Sequence, residues 1–178
     1  MKILAVSGSL RAASSNGTLL RALPLVSPPD MKFTFRAPLD SLPYFNPDIE
    51  QEGLPQPVER WRAEIRDHAA LVICSPEYAH GVPGVLKNAL DWLVGGVEIT
   101  AKPIAVFQTS LPSTIAHASL LEILRVMGGN VIPGASVPVL LRGRKLDEHG
   151  IASDSTLSAT LHTAMAALSS AVSTARAS

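Results

Sequence analysis

Apolar runs and amphipathic stripes take turns along this chain. Residues 3–7 form a short apolar run closed by Gly8-Ser9, the pattern of a strand buried on both faces of a parallel sheet. A helical stripe follows from about Asn16, carried by Leu19, Leu20 and Leu23, and Pro24 is expected to end or kink it. Residues 32–36 alternate polar and apolar side chains, as an unequally covered strand does. Residues 38–57 are rich in proline and aspartate and predict a long loop. A loop of that length is usually functional or disordered. From Val58, Trp61 and Ile65 share one helical face that runs to near Ala69.

Residues 71–74 give the clearest central strand, bounded by Ser75-Pro76. Pro83 suits the first position of the next helix, where the amide it lacks would be unpaired in any case. Val85, Leu86, Ala89, Leu90 and Leu93 form that helix's apolar face, and Gly95-Gly96 is expected to stop it. Residues 103–108 predict a further strand. Ile115, Leu121, Leu124 and Met127 predict a helix ended by Gly128-Gly129. Residues 131–132 and 137–141 predict a last strand interrupted at Pro133-Gly134. A final helix is expected from Ser153-Asp154, with Leu157, Leu161, Ala164, Leu168 and Val172 on its apolar side.

This alternation predicts an α/β fold with helices on both faces of a five-stranded parallel sheet. Right-handed crossovers give a three-layer, flavodoxin-like sandwich of strand order 2-1-3-4-5. Ligands of such sheets lie beyond the carboxyl ends of the strands, which brings together residues 8–16, 75–83 and 109–114. With 178 residues and no repeat or linker, residues 1–178 read as a single domain, the Ala/Ser-rich residues 172–178 forming a frayed tail.

Lysine plus arginine and aspartate plus glutamate both number 15, so no net charge recruits nucleic acid or an anionic membrane. Cys74 is the only cysteine, which rules out an intramolecular disulfide and a thiolate-rich metal site. Neither a signal peptide nor an apolar run of the ~20 residues needed to span a bilayer is present, so a soluble cytoplasmic protein is expected. The histidines show no metal-ligand spacing, and Cys74, in a buried strand pattern, reads as an inert core thiol.

Residues 8–16, Gly-Ser-Leu-Arg-Ala-Ala-Ser-Ser-Asn, join a strand to a helix whose free amides and dipole favour an anion. Ser9, Ser14 and Ser15 offer hydroxyls, Arg11 a charged fork, and Asn16 a cap or a further amide donor. Neither G-x-x-x-x-G-K-[ST] nor G-x-G-x-x-G is present, so the loop suits a single terminal phosphate. A plain helix cap beside a surface arginine is the competing reading of the loop alone.

A second stretch, Ser75-Pro76-Glu77-Tyr78-Ala79-His80-Gly81-Val82-Pro83-Gly84-Val85-Leu86-Lys87-Asn88-Ala89-Leu90-Asp91-Trp92, shifts the balance toward the phosphate. Together the two stretches resemble the NADPH-dependent FMN reductase family, with its G-S-x-R-x-x-S-x-N and P-E-Y-x-x-x-x-P-G-x-L-K-N-A-x-D-W segments. The likeness reaches from Met1 to about Val139. It implies noncovalently bound FMN, NADPH or NADH as co-substrate, a small-molecule electron acceptor, and a homodimer or homotetramer. By position it implies that Ser9, Arg11, Ser14, Ser15 and Asn16 hold the FMN phosphate. Pro76, Glu77, Tyr78 and His80 would border the isoalloxazine, with Thr109 and Ser110 as weaker contacts. Lys87, Asn88 and Asp91 would be structural or lie at a dimer contact.

Two departures stand out. The family often carries asparagine where this chain has Ala79, and its third loop is often glycine-rich, whereas residues 109–114 contain no glycine. The implied activity is an NAD(P)H oxidoreductase in which the flavin carries the chemistry and no side chain is catalytic. Hydride would pass to FMN and on to a quinone or similar acceptor in a ping-pong scheme. The alternatives are a flavodoxin-like electron carrier, against which the balanced charge argues, and a flavin-binding protein without turnover.

Overall fold

The computed structural model of the chain describes residues 1–109, 114–141 and 143–177, the side chain of Thr114 excepted. Five strands, β1 (Lys2–Ser7), β2 (Lys32–Phe35), β3 (Ala70–Cys74), β4 (Pro103–Phe107) and β5 (Asn130–Val131), form one sheet of order β2-β1-β3-β4-β5. Every pairing is parallel, with Ile3 opposite Ala70 and Leu71 opposite Ile104. The fold is flavodoxin-like.

The helices are α1 (Ser15–Val26), α2 (Pro47–Glu52), α3 (Gln56–Asp67), α4 (Gly84–Asp91), α5 (Thr114–Val126), α6 (Glu148–Ser153) and α7 (Ser155–Ala177). Side chains alternate across a strand, so each central strand feeds two cores. Ile3, Ala5, Val72, Cys74, Ala105 and Phe107 pack with α1, α6 and α7. Leu4, Val6, Leu71, Ile73, Ile104 and Val106 pack with α3, α4 and α5. This two-sided burial explains why β3 and β4 are buried at every position and read as continuous apolar runs.

Several expected boundaries move. Helix α1 runs on through Pro24 to Val26, and just past its end Ser27 Oγ donates to the Leu23 carbonyl at 2.6 Å. Residues 38–57 are not a bare loop: they hold a 3-10 turn at Leu39–Ser41 and helix α2, capped by Asn46 and begun by Pro47. Helix α2 buries none of its residues, so it carries no apolar stripe for periodicity to find. Pro83 caps α4 instead of opening it, and the helix ends at Asp91, ahead of the glycine pair. The last helix, α7, starts where expected, with Asp154 Oδ1 accepting from Leu157 N at 3.0 Å, and continues to Ala177 through the stretch expected to fray, while an unexpected short helix, α6, capped by Asp147, precedes it. The final strand is cut short: β5 has two residues, and beyond a turn at Pro133–Ala135 the chain rejoins the sheet through Val139 N, which donates to Gln108 O at 2.8 Å. Among the described residues no helix is long and apolar enough to cross a membrane.

Candidate functional site

The carboxyl ends of β1, β3 and β4 bring the first two expected loops together with Thr109, the described start of the third. Gly8 N donates to Cys74 O at 2.9 Å, which seats the first loop on the end of β3. A Cβ on Gly8 would stand 2.9 Å from Ser75 Oγ and 3.3 Å from Ser75 Cα. The first and second loops can approach this closely because position 8 has no side chain.

The hydroxyls of the first loop divide into two groups. Ser14 caps α1, its Oγ accepting from the backbone and side-chain amides of Asn16 at 3.3 and 3.4 Å. Ser9 Oγ accepts from Arg11 N at 3.3 Å. Neither set of bonds uses the serine's own hydroxyl proton, Ser14 being buried and Ser9 half-buried. Arg11 is exposed beside them, and the first-turn amides of α1 lack partners one turn earlier in the helix.

Asn16 is buried, and the exposed Ser15 bonds across to the same partner. Thr109 Oγ1 donates to Asn16 Oδ1 at 3.1 Å, and Ser15 Oγ lies 2.8 Å from the same threonine oxygen. Since Thr109 has one proton and Asn16 receives it, Ser15 is the donor to Thr109. Cys74 Sγ also donates to Asn16 Oδ1, at 3.2 Å. Asn16 thus ties together the loop after β1, the end of β3 and the loop after β4, and burial pushes the Cys74 thiol far above the usual thiol range. Thr109 O in turn accepts from Leu141 N at 3.0 Å.

In the second loop Pro76 and Glu77 are half-buried, while Tyr78 and His80 are exposed. Tyr78 and Gly81 exchange two backbone hydrogen bonds, of 3.1 and 2.9 Å, around a two-residue turn in which Ala79 and His80 have φ of 49° and 61°. Glu77 Oε1 lies 3.0 Å from His80 Nδ1, and its Oε2 accepts from Ala116 N, at the start of α5, at 3.3 Å. The Glu77 carboxylate therefore joins the second loop to α5. Close by, burial holds His117 below the usual histidine range.

Of the expected site residues, Ser9, Arg11, Ser14, Ser15, Asn16, Pro76, Glu77, Tyr78, His80 and Thr109 fall on these adjoining loops, and Ser110 lies outside the described residues. Sequence reasoning missed a wall. A cleft of about 770 Å³ opens between the first loop at Leu10 and Arg11, the second at Tyr78 and Pro83, and residues 39–44. The one signal for that wall was the length of the segment between β2 and α3. Asn88 fixes the wall: its Oδ1 accepts from Phe45 N at 2.8 Å and its Nδ2 donates to Pro43 O at 2.9 Å. Lys87 and Asp91 instead form an exposed pair one helical turn apart.

The model of the NADPH-dependent FMN reductase family matches residues 1–140. The chain belongs to that family. An NADPH-dependent FMN reductase match is reinforced by single relatives. A quinone reductase of Escherichia coli is 36% identical over 121 residues, which cover 66% of this chain and 64% of that protein. An NAD(P)H-dependent FMN reductase of Pseudomonas aeruginosa is 38% identical over 112 residues, 62% of this chain and 60% of that one. The chain thus spans somewhat under two thirds of the length of the curated relatives it matches. Among solved structures, a flavoenzyme NAD(P)H:(acceptor) oxidoreductase of Paracoccus denitrificans superposes with a TM-score of 0.78 at 25% identity, covering 97% of this chain and 95% of that one.

Proposed function

We propose that this chain is an FMN-dependent NAD(P)H oxidoreductase that passes electrons to a quinone or similar small acceptor. The observation that carries the reading is the meeting of the first loop, the end of β3 and Thr109 at Asn16, with a helix N-terminus, the hydroxyls of Ser9 and Ser14 and the exposed Arg11 beside it. That donor set fits a phosphate monoester: amides and dipole favour the anion, and a guanidinium matches its oxygens. Ser9, Arg11, Ser14 and the first-turn amides of α1 hold the phosphate. Ser15, Asn16 and Thr109 brace the loops around it through the bonds they already make to one another. Pro76, Tyr78 and His80 border the flavin ring, and Glu77 keeps that border attached to α5.

FMN held by these residues would supply hydride chemistry between NAD(P)H and a quinone, which would leave as a hydroquinone after drawing its second proton from water. Around that exchange the protein orients and encloses, with no side-chain nucleophile. The reading includes one domain over residues 1–178, a cytoplasmic location and a homodimer or homotetramer, measurable by light scattering.

The test is to load the purified chain with FMN, add NADPH without oxygen and follow the visible flavin absorption. Rapid bleaching is expected, followed by recovery of colour when a quinone is added. In steady state, parallel double-reciprocal lines for NADPH and quinone are expected. Flavin that binds and stays oxidised with both NADPH and NADH would overturn the reading.

A further inference from the structure

A second cavity lies at the amino ends of the strands, opposite the loops described above. It encloses about 460 Å³ between α3 and the starts of β1 and β2, with Lys2, Lys32 and Arg60 on its walls and Thr34 beside them. That volume is within the ~300–1,000 Å³ usual for small-molecule sites. Five steps of ~3.3 Å along β1 put Lys2 about 17 Å from Ser7, next to the first loop.

The three cations come from three different elements. Among the described residues, none of their side chains has an ion pair or a hydrogen bond. The two carboxylates on the same walls are already matched. Glu64 Oε2 lies 2.7 Å from Arg36 Nε, and Asp67 Oδ1 lies 3.8 Å from Arg66 Nε. Asp67 also acts on the half-buried Lys102, whose Nζ donates to His68 O at 2.6 Å. In and beside this cavity, six side-chain cations therefore stand against two carboxylates, in a chain of zero net charge.

The stability of the fold does not account for this placement. Lys2 and Lys32 are paired in register on adjacent strands, and like charges directly opposite each other destabilise a sheet. Balancing the negative end of the α3 dipole explains Arg66, in the last turn, but that effect fades within one turn. Arg60 lies about two turns before the end, and both lysines are on strands. An anion with several charges would relieve the lysine pair and bridge it to Arg60, whose planar fork matches phosphoryl oxygens. A broad anionic surface is a poorer match, because the cations line a concavity that also holds Glu64 and Asp67.

We infer that this cavity is a ligand site separate from the flavin end of the molecule, and that it takes a small anion with two or more linked phosphoryl groups, held by Lys2, Lys32 and Arg60. The probe is inorganic pyrophosphate, titrated calorimetrically at low ionic strength into the full chain saturated with FMN, so that the first loop is already occupied. One pyrophosphate per chain is expected, bound more tightly than orthophosphate and less tightly as salt is added. Lys32→Gln and Arg60→Gln should each weaken it about fivefold, the upper range for an exposed ion pair. Both residues are exposed, so neither variant disturbs the core.

Thermal unfolding gives an independent readout. Pyrophosphate should raise the Tm of the parent. Lys32→Gln should start from a higher Tm, since the like-charge pair is gone, and gain less from the probe. A parent that binds no pyrophosphate, or binds orthophosphate equally well, would overturn the inference. So would binding that is unchanged in both variants, which would put the anion elsewhere. Sedimentation with vesicles of anionic phospholipid that is lost in Lys32→Gln, without pyrophosphate binding, would also sink it and reassign the patch to a membrane surface. No step of the test needs NADPH, so its outcome is independent of the oxidoreductase reading.

Discussion

Ala79 and His80 hold left-handed backbone with φ of 49° and 61°, a conformation that the Tyr78–Gly81 hydrogen bonds require of a two-residue hairpin turn. For a residue with a Cβ this costs roughly 1–2 kcal/mol, and asparagine tolerates it better. The asparagine common at this position in the family thus has a conformational reason, and Ala79→Asn should raise the unfolding free energy in urea by about 0.5–1 kcal/mol. Cys74 makes a different demand. Its buried thiol stays protonated in the fold, whereas an unfolded chain ionises it above about pH 8.5. The unfolded state then binds fewer protons than the folded one, so this group's contribution falls by about 1.4 kcal/mol for each pH unit above that value. Comparing urea midpoints of the parent and Cys74→Ala from pH 8 to 10 should show the parent losing stability faster. Asn16 was legible in the sequence as a cap or phosphate donor. Its actual role, holding Cys74 and Thr109, depends on partners 58 and 93 positions away, a separation that no local pattern encodes.

At the scale of elements, the K-N-A-x-D-W stretch divides by what each side chain reaches. Asn88 holds two backbone groups of a segment more than 40 positions earlier, so Asn88→Ala should cost about 1–3 kcal/mol, the penalty for leaving such groups unpaired. Lys87→Ala removes only an exposed pair within one helix and should cost under about 0.5 kcal/mol. Denaturant unfolding of the two variants side by side separates these roles. Gly8 is the corresponding hinge between loops: Gly8→Ala forces Ser75 or the first loop to shift, at about 1–3 kcal/mol for an overpacked site. FMN titration followed by flavin fluorescence should show affinity about tenfold lower. The strands and the helices with apolar stripes were readable in the sequence because burial imposes a period. Helices α2 and α6 were not. Each has six residues, α2 buries none of them, and α6 buries Ile151 alone, so caps and neighbours define them and periodicity does not.

For the whole molecule, the family match ends at residue 140, yet the fold does not. Leu157, Leu161, Ala164, Met165, Leu168 and Val172 of α7 fill the core shared with α1 and one face of the sheet. A fragment of residues 1–140 would leave that face open, and is expected to unfold without a cooperative thermal transition and to bind a hydrophobic dye strongly. The full chain should show one sharp transition, raised by FMN as any ligand of the native state alone raises it. The sheet order and the adjoining of the first two loops with Thr109 were legible because both follow from the alternation of strands and helices. The cleft was not, since residues 39–45 take their position from Asn88 and Trp92 across the fold.

The placement of α1 and α7 on the same face of the sheet has a consequence for synthesis. The face carrying α3, α4 and α5 can be covered in the order in which the chain leaves the ribosome. The opposite face, with Val72, Ala105 and Phe107, stays partly bare until residues 155–177 have been made. Sealing it joins segments far apart in the chain, a slow step that leaves apolar surface open to aggregation in the meantime. For much of its translation the nascent chain therefore carries both first-loop and second-loop residues while lacking the layer that would hold them in place, which gives chaperones a half-covered sheet to recognise.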